Sequence, residues 1–175
     1  MFRLALNFSV FFCILLAPWS VVHSRYGYNP AKITPHYIYK GPKDGRKRYG
    51  PLVVKLAKKH KVSPALVESI IEMESRWNAS AKSNAGAKGL MQLMPATCVR
   101  YGVHDAYDPK QNISGGIQYL KYLLYIFDND LELAIAAYNA GHGKVLKSHQ
   151  IPKIAQTEAY VKSVMKTFDH YLTYD

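Results

Sequence analysis

Three glutamates fall within seven positions of one apolar segment, and a carboxyl in such a segment is a candidate general acid. The segment ESIIEMESRW contains Glu68, Glu72 and Glu74. On a helix at about 100° per residue, Glu74 shares a line with Ile71 inside an apolar arc of roughly 160°. Glu68 and Glu72 fall on the opposite side of the helix with Arg76. We predict solvated ion pairs there that contribute little to stability.

A carboxyl among apolar side chains resists ionisation. Burial without a charged partner disfavours the carboxylate and raises the pKa. A carboxylic acid that keeps its proton near neutral pH suits general-acid chemistry. The alternative is a structural role, in which Glu74 bonds a nearby helix end or an arginine. This helix alone leaves both interpretations open.

The surrounding sequence predicts a mainly α fold that would position this carboxyl. Residues 78–89 are small, polar and glycine-bearing, which is typical of a loop. No alternating strand pattern of useful length is present, and Gly141 is a natural helix end. Apolar periodicity with proline or capping residues in front predicts helices starting near these positions: Pro51, Pro64, Pro109, Leu131 and Ala155.

The N-terminal residues have the layout of a secretory signal. An arginine near the start precedes an apolar block from Phe8 to Trp19, and tolerated cleavage residues reach Ser24. We therefore predict a signal peptide over residues 1–24 and export. A retained membrane anchor is the alternative, although the block is short for a span of about 20 residues.

The sequence after the predicted signal peptide divides into two parts. Residues 25–50 contain three prolines and four glycines without a steady apolar period, and we predict an extension or linker there. Residues 51–175 are then the single folded domain. Loss of Cys13 with the signal would leave Cys98 as the only thiol, so we expect no internal disulfide and a monomer.

The chain is strongly basic, with a formal net charge of +11. Basic residues cluster in KDGRKR (43–48) and KLAKKHK (55–61). Such charge suggests nucleic acid, but an exported protein meets little of it and no base-reading motif is present. Anionic cell-envelope polymers would attract the chain equally well by long-range steering. A solvated face remains the simplest interpretation of most of these charges.

The sequence predicts no metal and no cofactor. Seven histidines are scattered along the chain, without a His-Glu-x-x-His pattern or Cys/His pairs. The tripeptide DND (128–130) lacks the rest of a calcium loop.

Several short motifs occur in a fixed order. They are ESRWN (74–78), Ser83, GLMQLMP (89–95), AYNAG (137–141) and, more loosely, TEAYV (157–161). In order and spacing the sequence resembles the soluble lytic transglycosylase family from residue 52 to about 170. The resemblance implies a lysozyme-like fold.

The resemblance also implies site residues. Glu74 matches the family's single catalytic acid/base. Tyr138 matches a tyrosine whose hydroxyl lies near that carboxyl, and Asn139 matches a substrate contact. The closing motif often reads Glu-Thr-Arg, whereas here Gln-Thr-Glu precedes Ala159 and Tyr160. This departure leaves the contact of Tyr160 with the groove open.

Further positions match the saccharide groove. Ser83 and Gln92 match residues that line it, and Met91 and Met94 resemble its apolar wall or support. Ordinary explanations exist beside these roles. The methionines could be core residues, Tyr138 could place its hydroxyl at a surface, and Asn139 could end a helix.

The implied chemistry is cleavage of the β-1,4 bond between N-acetylmuramic acid and N-acetylglucosamine in peptidoglycan. The nucleophile is the 6-hydroxyl of the muramic acid, so no second protein carboxylate is required, unlike in most glycosidases. Asp105, Asp108 and Asp128 remain spare acids. A hydrolytic lysozyme of the same fold and a non-catalytic basic wall-binding or scaffold protein are the alternatives.

The short chain resembles specialised transglycosylases that accompany secretion, conjugation or pilus systems. That analogy implies local opening of the wall and a location in the periplasm of a Gram-negative bacterium. Components of such a machine are the implied partners.

Overall fold

The computed structural model describes residues 43–174, and this part of the chain is helical without a named strand. The mainly α prediction is confirmed. Isolated bridges join Lys88 to Lys82 and to Leu93. The seven helices are α1 (Lys43–His60), α2 (Pro64–Ser75), α3 (Pro95–Arg100), α4 (Pro109–Ile126), α5 (Leu131–Ala140), α6 (His142–Ser148) and α7 (Ala155–Tyr174).

The N-terminal predictions fall on residues beyond this part. The signal peptide over 1–24 and the extension up to residue 42 lie outside the described residues. None of the described helices is both long and apolar enough to cross a membrane.

Capping residues set the helix starts where the sequence predicts them. Ser63, Asp108 and Asp130 each accept a hydrogen bond from the backbone N–H three residues on, at 3.4, 2.7 and 3.0 Å. Each bond satisfies an N–H that has no partner within the helix. Gly141, with φ of 88°, ends α5 as predicted.

The predicted helix start at Pro51 is wrong. Helix α1 begins at Lys43, so Pro51 lies inside it and residues 43–50 are helical. Two tertiary contacts hold this first part of α1. Arg46 donates from Nε and Nη2 to Glu68 Oε2 at 3.1 and 2.8 Å, and its guanidinium lies 4.4 Å from the ring centre of Tyr171. Gly45 packs so closely on Trp77 that a Cβ would collide with it.

Helix α2 is the centre of the fold, and its predicted polar face is wrong. All residues from Ala65 to Glu72 are buried, because α2 packs against both α1 and α7. Glu68 and Glu72 are only 2% and 6% exposed. Arg76, at the end of the helix, is the exposed member of that group. A helix surrounded on all sides has no wet face on which to place solvated pairs.

The remaining helices enclose α2. Helix α4 packs on α1 and α5, and α5 packs on α7. The short helices α3 and α6 were not predicted, since six or seven residues are too few to show a clear apolar period.

Candidate active site

Glu74 lies in the last turn of α2, at the edge of the core. The helix ends at Ser75, and Arg76 and Trp77 both have left-handed backbone, with φ of 50° and 63°. The chain thus turns sharply after the carboxyl. Trp77 anchors the turn because its side chain is 2% exposed. Glu74 itself is half-buried, unlike the two glutamates before it.

The surroundings of Glu74 keep its carboxyl protonated near neutral pH. Burial raises its pKa from 4.5 to about 7, against the opposing effect of a hydrogen bond. In that bond the Tyr160 hydroxyl donates to Glu74 Oε1 at 2.6 Å. The partner of Glu74 is therefore a neutral hydroxyl and not an arginine. A carboxyl in this state can both give and take a proton near pH 7.

The hydroxyls of the two tyrosines at the site bond different partners. Tyr160, whose contact was left open, bonds Glu74 directly. The Tyr138 hydroxyl instead donates to the carbonyl of Met91 at 2.9 Å. Burial and the charge of Glu74 raise the pKa of both phenols well above 10, so both remain donors.

The segment GLMQLMP is fastened beside Glu74 by two polar side chains. Ser75 Oγ donates to the carbonyl of Leu90 at 2.7 Å, which ties the segment to the end of α2. Asn112, fully buried on α4, accepts from the Met91 N–H at 2.8 Å. Its Nδ2 donates to two further backbone carbonyls at 2.9 and 2.8 Å.

Gly89 allows this arrangement. Its φ is 78°, and a Cβ there would collide with the Ala106 carbonyl and the Asn112 amide. Neither Ser75 nor Asn112 was singled out from the sequence. A polar residue beside the apolar run of α4 was the only available signal for Asn112.

The groove residues expected from the resemblance divide into exposed and buried ones. The Met91 side chain is 0% exposed and packs on Gly116 of α4. It therefore supports the segment GLMQLMP from the core side and cannot line a groove. Of the two roles expected for Met91, apolar wall or support of the groove, its burial is compatible only with support, which corrects its place among the substrate-binding residues. Met94 is 43% exposed and stands at the surface. The core interpretation therefore holds for Met91 and not for Met94.

Gln92 and Ser83 are half-buried and both stabilise the loop between α2 and α3. Gln92 has a left-handed φ of 47°, and its Nε2 donates to the carbonyls of Gly89 and Ala81 at 2.9 and 3.2 Å. Ser83 Oγ accepts from the Ala87 N–H at 3.0 Å. These bonds fix the direction of both side chains along the loop.

Asn139 is oriented by the start of α7. Thr157, which is 2% exposed, donates from Oγ1 to Asn139 Oδ1 at 3.0 Å. The bond fixes the amide so that its NH₂ group points away from Thr157. The closing motif thus supplies Thr157 for Asn139 and Tyr160 for Glu74.

Comparisons with known proteins identify the family of the chain. Residues 51–161 match the Transglycosylase SLT domain. The chain belongs to this SLT domain family. A membrane-bound lytic murein transglycosylase F of Desulfosudis oleivorans is 39% identical over 113 residues, which cover 61% of the chain and 25% of that protein. The transglycosylase of Enterobacteria phage PRD1 is 39% identical over 110 residues, covering 63% and 39%.

Solved structures show the same fold. An inactive variant of the lytic transglycosylase Slt from Pseudomonas aeruginosa aligns with a TM-score of 0.62 and 30% identity, over 72% of this chain and 24% of that one. A 70 kDa soluble lytic transglycosylase in complex with bulgecin A aligns with a TM-score of 0.65 and 29% identity, over 75% and 25%. The chain thus spans between about a quarter and two fifths of the length of these relatives. The lysozyme-like prediction is confirmed.

An aromatic strip leads away from Glu74 in the SLT domain, and the sequence analysis did not identify it. The Tyr119 ring lies 5.3 Å from that of Tyr138 and 6.0 Å from that of Tyr101. Tyr122 follows one turn later, with the Arg100 guanidinium 5.0 Å from its ring centre. Half-buried phenol rings offer apolar faces and hydroxyls together, which suits a sugar ring. The tyrosines three positions apart on α4 were the available signal.

Two of the three spare acids of the SLT domain have local structural roles. Asp108 caps α4, and Asp105 accepts from the Tyr107 N–H at 2.8 Å. Asp128 is exposed in a turn. The pKa of Glu74 is governed by burial and Tyr160, without a contribution from another carboxylate. Within residues 43–174, no three His, Cys, Asp or Glu side chains converge as a metal site would require.

Proposed function

We propose that this SLT domain is a peptidoglycan lytic transglycosylase. It would cleave the β-1,4 bond between N-acetylmuramic acid and N-acetylglucosamine and leave 1,6-anhydromuramic ends. The observation that carries the proposal is the carboxyl of Glu74, with a pKa of about 7 and a phenol bonded to one oxygen. The names of the relatives, lytic murein transglycosylases, support the same chemistry.

In the first step Glu74 acts as an acid. Its proton goes to the glycosidic oxygen as the bond from that oxygen to C1 of the muramic acid breaks. Because Tyr160 occupies Oε1, we assign the transferred proton to Oε2. The Tyr160 hydrogen bond favours the carboxylate that forms, as its lowering effect on the pKa indicates.

In the second step Glu74 acts as a base. Its carboxylate takes the proton of the muramic acid 6-hydroxyl, and that oxygen bonds to C1 to close the anhydro ring. No water is consumed, and Glu74 returns to its protonated state. Burial favours the acid and Tyr160 favours the carboxylate, so a pKa near 7 serves both halves of the cycle.

Among the described residues, no carboxylate contributes to the pKa of Glu74, which is evidence against the close carboxyl pair of a retaining glycosidase. A retaining glycosidase places its second carboxyl about 5–5.5 Å from the first. A negative charge so close would raise the pKa of Glu74 further. Among the described residues, the pKa of Glu74 is raised by burial alone.

The activity assay compares two glutamine variants. Glu74→Gln preserves shape but cannot donate and then accept a proton, so we expect clearing of peptidoglycan suspensions to fall by at least about a hundredfold. Glu132→Gln, in the first turn of α5, is the matched control and should retain clearing. Equal activity of the two variants would remove Glu74 from the mechanism. Circular dichroism on both confirms the fold.

We further propose that the enzyme acts outside the cytoplasm, in the periplasm, and opens the wall locally for a secretion, conjugation or pilus apparatus. The apolar block from Phe8 to Trp19 supports export. Cell fractionation, with a cytoplasmic and a periplasmic marker, tests the location. Retention of the chain in the cytoplasm would contradict it.

A further inference from the structure

From Lys47 to Lys59, one face of α1 carries positive charge only. Lys47, Arg48, Lys55, Lys58 and Lys59 are exposed, and we call them the cationic stripe. At about 100° per residue their positions fall within an arc of roughly 120° on the helix. Asp44, in the first turn of α1, precedes the stripe on the same arc, and the next acid in the sequence is Glu68. No acid therefore interrupts the face between Lys47 and Lys59.

Ordinary helix stability explains only part of the stripe. The helix dipole favours cations in the last turn, at Lys58 and Lys59. Lys47 and Arg48 follow Asp44 by three and four positions, the spacing at which opposite charges stabilise a helix. Lys55 has only like charges at that spacing, at Lys58 and Lys59, and such pairs repel on a helix surface. The clustering around Lys55 therefore costs helix stability, which suggests that it is retained for binding.

The positive field extends beyond α1. The pKa of His60 is lowered, first by partial burial and then by the charges of Lys59 and Lys121. Lys121 is an exposed residue of α4, the helix that packs beside α1. Helix α4 has no acidic residue between its first residue, Pro109, and its last, Ile126. The two neighbouring helices together present one cationic surface.

We propose that the cationic stripe docks the domain on an anionic phospholipid surface. From Lys47 to Lys59 the stripe is about 18 Å long, so its five cations can contact several phosphate headgroups of one surface. The stripe consists of lysines and one arginine, so it offers no ring on which a nucleic-acid base could stack. Its charge complements phosphate headgroups, which attract clusters of four to eight cations.

The sequence before α1 adds a second reason for a membrane. An apolar block at residues 8–19 is separated from Lys43 by 23 residues. Such a block directs a chain to a membrane, whether as a signal or as an anchor. Helix α1 is the described element nearest to it in the sequence. Glu74 and Tyr160 belong to α2 and α7, so the stripe is separate from the proposed catalytic groups.

The test measures binding of the full chain to lipid vesicles. One set contains only neutral phosphatidylcholine, and the other contains about a third phosphatidylglycerol. In the stripe variant four lysines become glutamine: Lys47, Lys55, Lys58 and Lys59. In the control variant four exposed lysines elsewhere become glutamine: Lys110, Lys144, Lys147 and Lys162. The two variants have the same net charge and the same N-terminus.

We expect the stripe variant to bind anionic vesicles at least about tenfold more weakly than the parent, since each cation near a charged membrane contributes roughly fivefold. The control variant should lose less than about threefold, and high salt should abolish the difference. A third variant with arginine at the four stripe positions should bind as the parent does. Activity on short soluble glycan fragments should be equal in all variants, which separates this test from the proposed catalysis.

Three results would overturn the proposal. Equal losses in the stripe and control variants would mean that net charge alone matters. Equal binding of the parent to neutral and anionic vesicles would assign binding to the apolar block. Tighter binding of duplex DNA than of anionic vesicles, lost in the stripe variant, would assign the stripe to nucleic acid.

Discussion

Replacing Glu74 by glutamine should change stability in a way that depends on pH. The folded protein raises the pKa of this carboxyl from 4.5 to about 7 by burial. Below pH 4.5 the carboxyl is protonated in both the folded and the unfolded chain, so folding carries no ionisation cost. As the pH rises from 4.5 to 7 the unfolded chain ionises first, and stability is lost. Above pH 7 the carboxyl is ionised in both states, and the folded protein bears the full free-energy cost of the buried carboxylate.

The size of this cost follows from the two pKa values. Their difference corresponds to about 3 kcal/mol of unfolding free energy. Glutamine has no such cost, and its amide oxygen can still accept from Tyr160. We therefore expect Glu74→Gln to be more stable than the parent by about 2–3 kcal/mol at pH 8.5 and equal to it at pH 4. For a domain of this size, that gain raises the melting temperature by roughly 10 °C.

The assay is thermal unfolding by circular dichroism at several pH values between 4 and 8.5. Glu132→Gln, in the first turn of α5, serves as the control and should show no comparable pH-dependent gain. A difference between parent and Glu74→Gln that stays constant over this pH range would refute the assigned pKa. A destabilised Glu74→Gln at pH 8.5 would show that the carboxylate form is structural.

Three other substitutions test separate contacts. Tyr160→Phe removes the hydrogen bond that lowers the pKa of Glu74, so the alkaline limb of the pH–activity profile should move upward; an unchanged limb would contradict this. Asn112→Ala removes three buried hydrogen bonds and should lower the free energy of unfolding by about 3 kcal/mol. In denaturant titration, a loss below about 1 kcal/mol would count against its fastening role. Glu68→Ala should cost about 2 kcal/mol, because the guanidinium of Arg46 loses its carboxylate; the same titration would show a negligible loss if the pair were solvated.

The sequence predicts the helices well where the signals are local. Ser63, Asp108 and Gly141 act through their own backbone neighbours, so capping rules find them. Pro51 misleads for the same local reason. Proline is frequent in a first turn, and only the tertiary contacts of Gly45 and Arg46 show that α1 starts eight residues earlier.

The environment of α2 could not be read from its own sequence. A helical projection assumes one buried face, and α2 is buried on all sides. The projection therefore assigned Glu68 and Glu72 to water. It still separated Glu74 from them correctly, because the decisive feature is an apolar surrounding at the end of the helix. The charged partner of Glu68 comes from α1, at a separation of 22 residues.

The site depends on contacts between distant residues, and these limit prediction further. Tyr160 reaches Glu74 across 86 residues, and Tyr138 reaches Met91 across 47. Motif order indicated that these residues belong together but left open which side chain bonds Glu74. The role of Asn112 is invisible in its local sequence, because its partners are backbone groups of another segment.

The most direct test of the proposed chemistry is the mass of the products. Purified peptidoglycan is digested with the protein, and the released muropeptides are weighed with and without prior borohydride reduction. The proposed mechanism predicts 1,6-anhydromuramic products, which lack one water relative to hydrolysis products and do not change on reduction. Products that carry the additional water and gain two hydrogens on reduction would show a hydrolase and contradict the assignment of the muramic acid 6-hydroxyl as the nucleophile.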